Sequence, residues 1–161
     1  MSMPTVIEGA ASQANGRYAI VAAKFNREVV DKLLEGALSA LRQHKIKDEN
    51  IIVVWVPGSF EIPLAAQRLA DTGEFSAVIC LGAVIRGETD HYEHICEAAA
   101  LGVLDAGLST GIPVLFGILT CQTEELALAR AGGAAGNKGY DAALAALEMT
   151  SLMEKLHQPA P

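Results

Sequence analysis

Four uninterrupted apolar runs recur along this chain, at residues 18–24 (YAIVAAK), 51–56 (IIVVWV), 77–85 (AVICLGAVI) and 113–119 (PVLFGIL). Such runs, without polar alternation, read as strands buried on both faces. Between them the pattern changes period. Val30, Leu33, Leu34, Ala37, Leu38 and Leu41 fall three and four apart, which predicts a helix over residues 27–44. Further helices are expected at residues 61–72, with Gly73 as the stop, at 91–108, at 123–131 and at 140–156, where Tyr140, Leu144 and Leu147 mark one face. Strand–helix alternation with continuous apolar strands predicts an α/β fold. It is a three-layer α/β/α sandwich around a central four-stranded parallel sheet, flavodoxin-like and doubly wound.

Composition narrows the function. The 161 residues are 51% apolar and 19% charged, which describes a globular core rather than a disordered chain. Twelve basic against nineteen acidic residues give a net charge of −7, a poor match to a nucleic-acid surface. No apolar run approaches the ~20 residues needed to cross a bilayer, and the first residues carry no secretory pattern. Three cysteines without CxxC spacing, Cys80, Cys96 and Cys121, suit a reducing compartment, so a cytoplasmic location is expected. Residues 1–16 read as a lead-in with one apolar patch, Thr5-Val6-Ile7, followed by one domain at 17–157 and a tail at 158–161. A mean hydropathy of +0.29 is high for a small monomer and is compatible with contact between copies or with alanine-rich helices.

In a parallel sheet, ligands bind outside the carboxyl ends of the strands. That rule selects four places: after Lys24, after Val56, after Ile85 and around residues 116–120. Phe25 leaves the first strand there and either stacks on a planar ligand or caps the core. Ser59 reads as an N-cap, and Glu61 either favours the helix dipole or receives sugar hydroxyls. The stretch after the third strand, Arg86-Gly87-Glu88-Thr89-Asp90-His91-Tyr92-Glu93-His94, is the most polar in the chain. Asp90 with Glu93 fits a capping box, and the helix start suits a phosphate. Imidazole titrates near ~6.5, which makes His91 a candidate acid–base residue. His91 and His94, three apart, also invite a metal reading, for which no third ligand has a suitable spacing. Arg130 and Lys138 flank a glycine-rich break, where Arg130 either pairs with phosphate or caps a helix end. Sequences of the forms GxxxxGK[ST] and GxGxxG are missing, which disfavours an NTPase and a dinucleotide fold.

Together, Phe25-Asn26, residues 57–63 (PGSFEIP), residues 82–87 (GAVIRG) with Thr89 and His91, Phe116-Gly117, and Arg130-Ala131-Gly132 through Gly136-Asn137-Lys138-Gly139 resemble the 6,7-dimethyl-8-ribityllumazine synthase family of riboflavin biosynthesis. The similarity spans residues 18–156. It implies a transferase that condenses 5-amino-6-(D-ribitylamino)uracil with 3,4-dihydroxy-2-butanone 4-phosphate, without metal or organic cofactor. It further implies that Phe25 stacks on the pyrimidine, that Ser59, Phe60 and Glu61 bind this substrate, and that Ala83, Val84 and Ile85 supply backbone contacts to the ring. Glu88 and Thr89 border the phosphate, Arg130 pairs with it, Lys138 adds charge, and His91 transfers the proton. Phe116 completes the ring pocket from a neighbouring subunit, as Arg130 and Lys138 can also do. The implied partners are small-molecule substrates and further copies of the chain, as a pentamer or as twelve pentamers in a 60-subunit shell, with riboflavin synthase as an associate. In the shell form, Thr5-Val6-Ile7 would extend a neighbour's sheet. Two departures stand out: Ser59 where alanine is common, and Glu88 where a small residue is common. The rival readings are a family relative that binds a flavin or lumazine without catalysis, and a flavodoxin-type electron carrier.

Overall fold

The computed structural model describes residues 2–158. Met1 and residues 159–161, most of the expected tail, lie outside the described residues. Four strands form one parallel sheet: β1 (Tyr18–Ala23), β2 (Ile51–Val56), β3 (Ala77–Ile85) and β4 (Val114–Cys121), in the order β2-β1-β3-β4. The register aligns Tyr18 with both Ile51 and Ala77, and Val78 with Val114. Every residue of β1 is fully buried, as its unbroken apolar run requires for a central strand.

Helices α1 (Arg27–Gln43), α2 (Ile62–Asp71), α3 (His91–Thr110), α4 (Glu124–Ala129) and α5 (Lys138–His157) complete the fold. The chain leaves β1 in one direction to reach β2, then reverses over β1 to reach β3 and continues to β4. Right-handed crossovers therefore put α1 on one face and α2 with α3 on the other. The core divides accordingly. Ile20, Ile79 and Leu81 pack with Leu33, Leu41 and Leu147 of α1 and α5. Val21, Val78 and Cys80 pack with Ile62, Ala66, Ala99 and Val103 of α2 and α3. The three-layer flavodoxin-like architecture is the one the alternation predicts.

Local differences have identifiable causes. Ser59 is not an N-cap: Ser59–Glu61 form a 3-10 turn that leads into α2, with no side-chain cap. The Asp90–Glu93 capping box does not form. Asp90 is itself in the right-handed helical region (φ −72°, ψ −2°) and makes no side-chain cap bond. The Glu93 carboxylate instead lies 3.8 Å from the Arg86 guanidinium. The glycine-rich break is an antiparallel hairpin of β5 (Ala131–Gly133) and β6 (Gly136–Asn137). Asn137 then caps α5 by accepting from Tyr140 N–H at 3.1 Å. Gly73 follows α2 with φ +72°, the left-handed stop that its position suggested.

The lead-in is not independent of the domain. Ala10 N–H donates to Ser151 Oγ at 3.2 Å, and Lys155 Nζ donates to the Glu8 carbonyl at 2.6 Å, so this part lies along α5. Thr5-Val6-Ile7 forms no strand within the chain, and Val6 and Ile7 are exposed. Among the described residues no helix is long and apolar enough to cross a membrane.

Candidate active site

The sheet reverses its winding between β1 and β3, and a cavity of about 690 Å³ opens there at the carboxyl ends of the strands. Three chain exits build it. β1 contributes Phe25 and Asn26, β2 contributes residues 57–61, and β3 with the start of α3 contributes Ala83, Val84, Ile85, Gly87, Thr89 and His91. Backbone bonds tie the exits together: Lys24 N–H donates to the Val56 carbonyl at 2.8 Å and Phe25 N–H to the Pro57 carbonyl at 3.1 Å. Asn26 adopts the left-handed conformation (φ 59°, ψ 43°), which asparagine tolerates better than most residues. Its side-chain Nδ2 donates to the Ala83 carbonyl at 2.7 Å and so pins the first exit to the third.

The rim is aromatic. Phe25 is 71% exposed and Phe60 is 59% exposed, so neither caps the core; both offer ring faces to whatever fills the cavity. Glu61 lies on the same wall and is exposed, as is His91 at the head of α3. His91 N–H donates to Thr89 Oγ1 at 3.3 Å, a local turn that sets the approach of the helix. The first turn of this 20-residue helix faces the cavity mouth with the positive end of its dipole.

Nine of the thirteen candidate residues line this one cavity: Phe25, Ser59, Phe60, Glu61, Ala83, Val84, Ile85, Thr89 and His91. Four do not. Glu88 is exposed and off the wall. Phe116 pairs in register with Cys80, three positions back from Ala83, and packs against the α2–α3 face. Arg130 ends α4 and donates through Nη1 to the Leu126 carbonyl at 3.1 Å, the helix-end arrangement weighed for it above. Lys138 N–H donates to the Arg130 carbonyl at 2.8 Å, so the two residues adjoin through their backbones, and neither lines their own chain's cavity.

Two lining residues escape the sequence reasoning, Tyr92 and Ile95. A signal existed, since Ile95 is four residues after His91 and shares its helix face. Burial pushes the Tyr92 phenol above its ordinary range, with Cys96 acting in the same direction. Burial likewise raises the Cys96 thiol. These groups stay neutral near pH 7 and serve as wall rather than as bases. His94 is exposed and off the cavity. Among the described residues no three His, Cys, Asp or Glu side chains cluster as metal ligands.

The model of the 6,7-dimethyl-8-ribityllumazine synthase family matches residues 15–154, nearly the whole chain. This chain belongs to that family. Its relatives include the chloroplastic 6,7-dimethyl-8-ribityllumazine synthase of Arabidopsis thaliana, 53% identical over 86% of this chain and 61% of that one. The chain thus spans less than two thirds of the plant protein. The 6,7-dimethyl-8-ribityllumazine synthase of Desulfatibacillum aliphaticivorans is 51% identical over 95% of this chain and 99% of its own. That of Salinibacter ruber is 52% identical over 96% and 99%, respectively. Of the residues quoted above for the resemblance up to the start of α3, Ile62, Pro63, Gly82 and Arg86 do not line the cavity and the others do.

Proposed function

We propose that this cavity condenses 5-amino-6-(D-ribitylamino)uracil with 3,4-dihydroxy-2-butanone 4-phosphate to give 6,7-dimethyl-8-ribityllumazine, the penultimate step of riboflavin biosynthesis. The observation that carries this reading is convergence. An aromatic rim, a carboxylate, a strand edge with open backbone groups, a helix N-terminus and an imidazole share one cavity in a chain of this family.

The roles follow from the chemistry. Phe25 stacks on the flat pyrimidine, with Phe60 beside it. The backbone at Ser59 and at Ala83, Val84 and Ile85 meets the polar edge of the ring, and Glu61 accepts from ribityl hydroxyls. Thr89 and the first turn of α3 hold the phosphate. Glu88 takes part only through its backbone, because its carboxylate would repel the anion. The exocyclic amine attacks the ketone and forms an imine with loss of water. A proton leaves the adjacent carbon for His91 as phosphate departs. The enol left behind takes a proton at its terminal carbon and becomes a ketone, which the second amine attacks to close the ring with loss of a second water. These steps require positioning, one base and an anion site more than a strong nucleophile.

Phe116, Arg130 and Lys138 act on the cavity of a neighbouring copy. Their positions off their own cavity support this, as does the apolar outer stripe Leu101, Leu104 and Leu108 on α3, which is 59%, 58% and 76% exposed. The assembly is a pentamer, with twelve pentamers closing a shell, and riboflavin synthase as an associate. In the shell, the exposed Thr5-Val6-Ile7 segment adds to a neighbour's β2 edge, where Val53 is 37% exposed. Free thiols at Cys80, Cys96 and Cys121 favour the cytoplasm. Mixing both substrates with the purified protein tests the reading: fluorescent lumazine and inorganic phosphate form together. A protein that binds the pyrimidine and releases neither is a non-catalytic binder.

A further inference from the structure

Phe25 is 71% exposed, so little packing fixes its ring over the cavity. Its place must come from the chain on either side. On the near side, Lys24 N–H and Phe25 N–H donate to the Val56 and Pro57 carbonyls at the end of β2. On the far side the chain turns through Asn26, in the left-handed region, and enters α1 at Arg27. The Asn26 side chain bonds the Ala83 carbonyl and caps no N–H of α1.

The Arg27 side chain ties this far side back to β2. Its guanidinium carbon lies 3.6 Å from the centre of the Trp55 ring, a stacking contact, and Nε donates to Asp31 Oδ1 at 2.9 Å. Trp55 is half-buried on the α1 side of β2, two residues before Pro57. β2 is an edge strand that pairs with β1 alone in the sheet, so the stack adds a tie where the sheet offers only one neighbour. A cation is disfavoured at the positive end of a helix dipole. Helix-end electrostatics therefore do not account for an arginine at the first position of α1, whereas the ring and Asp31 do. Neither Arg27 nor Trp55 lines the cavity.

We propose that Arg27 is a positioning residue: stacked on Trp55 and braced by Asp31, it fixes the turn that presents Phe25. It acts on pyrimidine binding through Phe25 and does not touch the ligand. This rests on the condensation reading above.

Trp55 is the single tryptophan of the chain, so its fluorescence reports the stack directly. In the whole protein, Arg27→Ala opens the ring to water and shifts that emission to longer wavelength. It raises KM for the pyrimidine roughly two- to fivefold, the scale of one exposed cation–π contact. It leaves kcat and KM for the butanone phosphate unchanged. Arg27→Lys restores part of both signals, because an ammonium can lie over the ring but has no planar face to stack. In a Phe25→Ala background, Arg27→Ala raises the pyrimidine KM no further. Unchanged Trp55 emission in Arg27→Ala overturns the stack. An unchanged pyrimidine KM overturns the positioning role and leaves the condensation reading intact. An equal Arg27→Ala effect with and without the Phe25 ring overturns it too, because the change then reaches the cavity through the sheet. If the unaltered protein forms no lumazine, the condensation reading falls and the positioning role with it, whatever the emission shows.

Discussion

The exits of β1, β2 and β3 and the far side of the chain around β4, α4 and the hairpin carry equally distinctive residues, yet they are built differently. At the first region three loops are laced by backbone bonds and by Asn26, and nine candidate residues meet on one cavity. At the second, Phe116 lies back along an edge strand, and Arg130 and Lys138 adjoin each other with no cavity of their own to serve. The first is assembled by folding one chain. The second, under the proposal above, serves another chain. If the proposal holds, the contrast separates residues whose loss harms their own cavity from residues whose loss harms a neighbour's.

Complementation breaks that contrast most directly. Arg130→Ala is expected to lower kcat/KM for the phosphate substrate roughly a hundredfold, through loss of charge-assisted hydrogen bonds. Glu61→Ala weakens the pyrimidine side. Chains carrying one change each, refolded together, regain activity because some cavities receive an intact Glu61 from one copy and an intact Arg130 from another. A mixture no more active than the separate variants would return Arg130 to its own chain. His91→Ala, on the same cavity as Glu61, is rescued by Arg130→Ala to the same extent, and alone it lowers kcat roughly ten- to hundredfold without abolishing turnover. Complete loss of turnover with intact substrate binding would give His91 more than a proton-transfer role.

Much of the first region was legible. The apolar runs of β1, β2 and β3 mark their own ends, and the loops after them are where an α/β sheet puts its ligands. What escaped was local. Asp90 and Glu93 have capping-box spacing, but Asp90 takes helical backbone angles (φ −72°, ψ −2°) and caps nothing, and no pattern along the chain reports that. The hairpin of β5 and β6 is set by backbone, with Gly132 at φ +101° and Gly136 at φ +85°, in residues with little strand propensity. For Phe116, Arg130 and Lys138 the family pattern indicates a role, but the order of residues in one chain does not say which copy's cavity they reach.

Asn26 sharpens the comparison within the first region. Asn26→Asp replaces the donor to the Ala83 carbonyl with an acceptor, so two oxygens face each other where 2.7 Å separated a bonded pair. The expected loss of stability is about 1–3 kcal/mol, with a fall in kcat/KM, read by thermal melting and by lumazine formation. Asn26→Gly keeps the left-handed backbone and loses only the pin, so it falls between the two proteins. Equal melting temperatures for Asn26→Asp and the unaltered protein would mean that the exits hold their places without this bond.

Glu88 carries the smallest expected effect. With Asp90 it flanks Thr89 in sequence, yet its side chain is exposed and not on the cavity wall. A screened, solvated carboxylate repels a bound phosphate only weakly. Glu88→Ala therefore lowers KM for the butanone phosphate by about twofold at low ionic strength and has no effect once salt shortens the Debye length below the separation. The comparison with Arg130 is then one of geometry, not of charge: both residues are exposed in the single chain, but under the proposed assembly only Arg130 would reach a ligand. A salt-independent change in KM for Glu88→Ala would show direct contact with the phosphate and place Glu88 in the cavity. An unchanged KM even at low salt would show that solvent already cancels the repulsion.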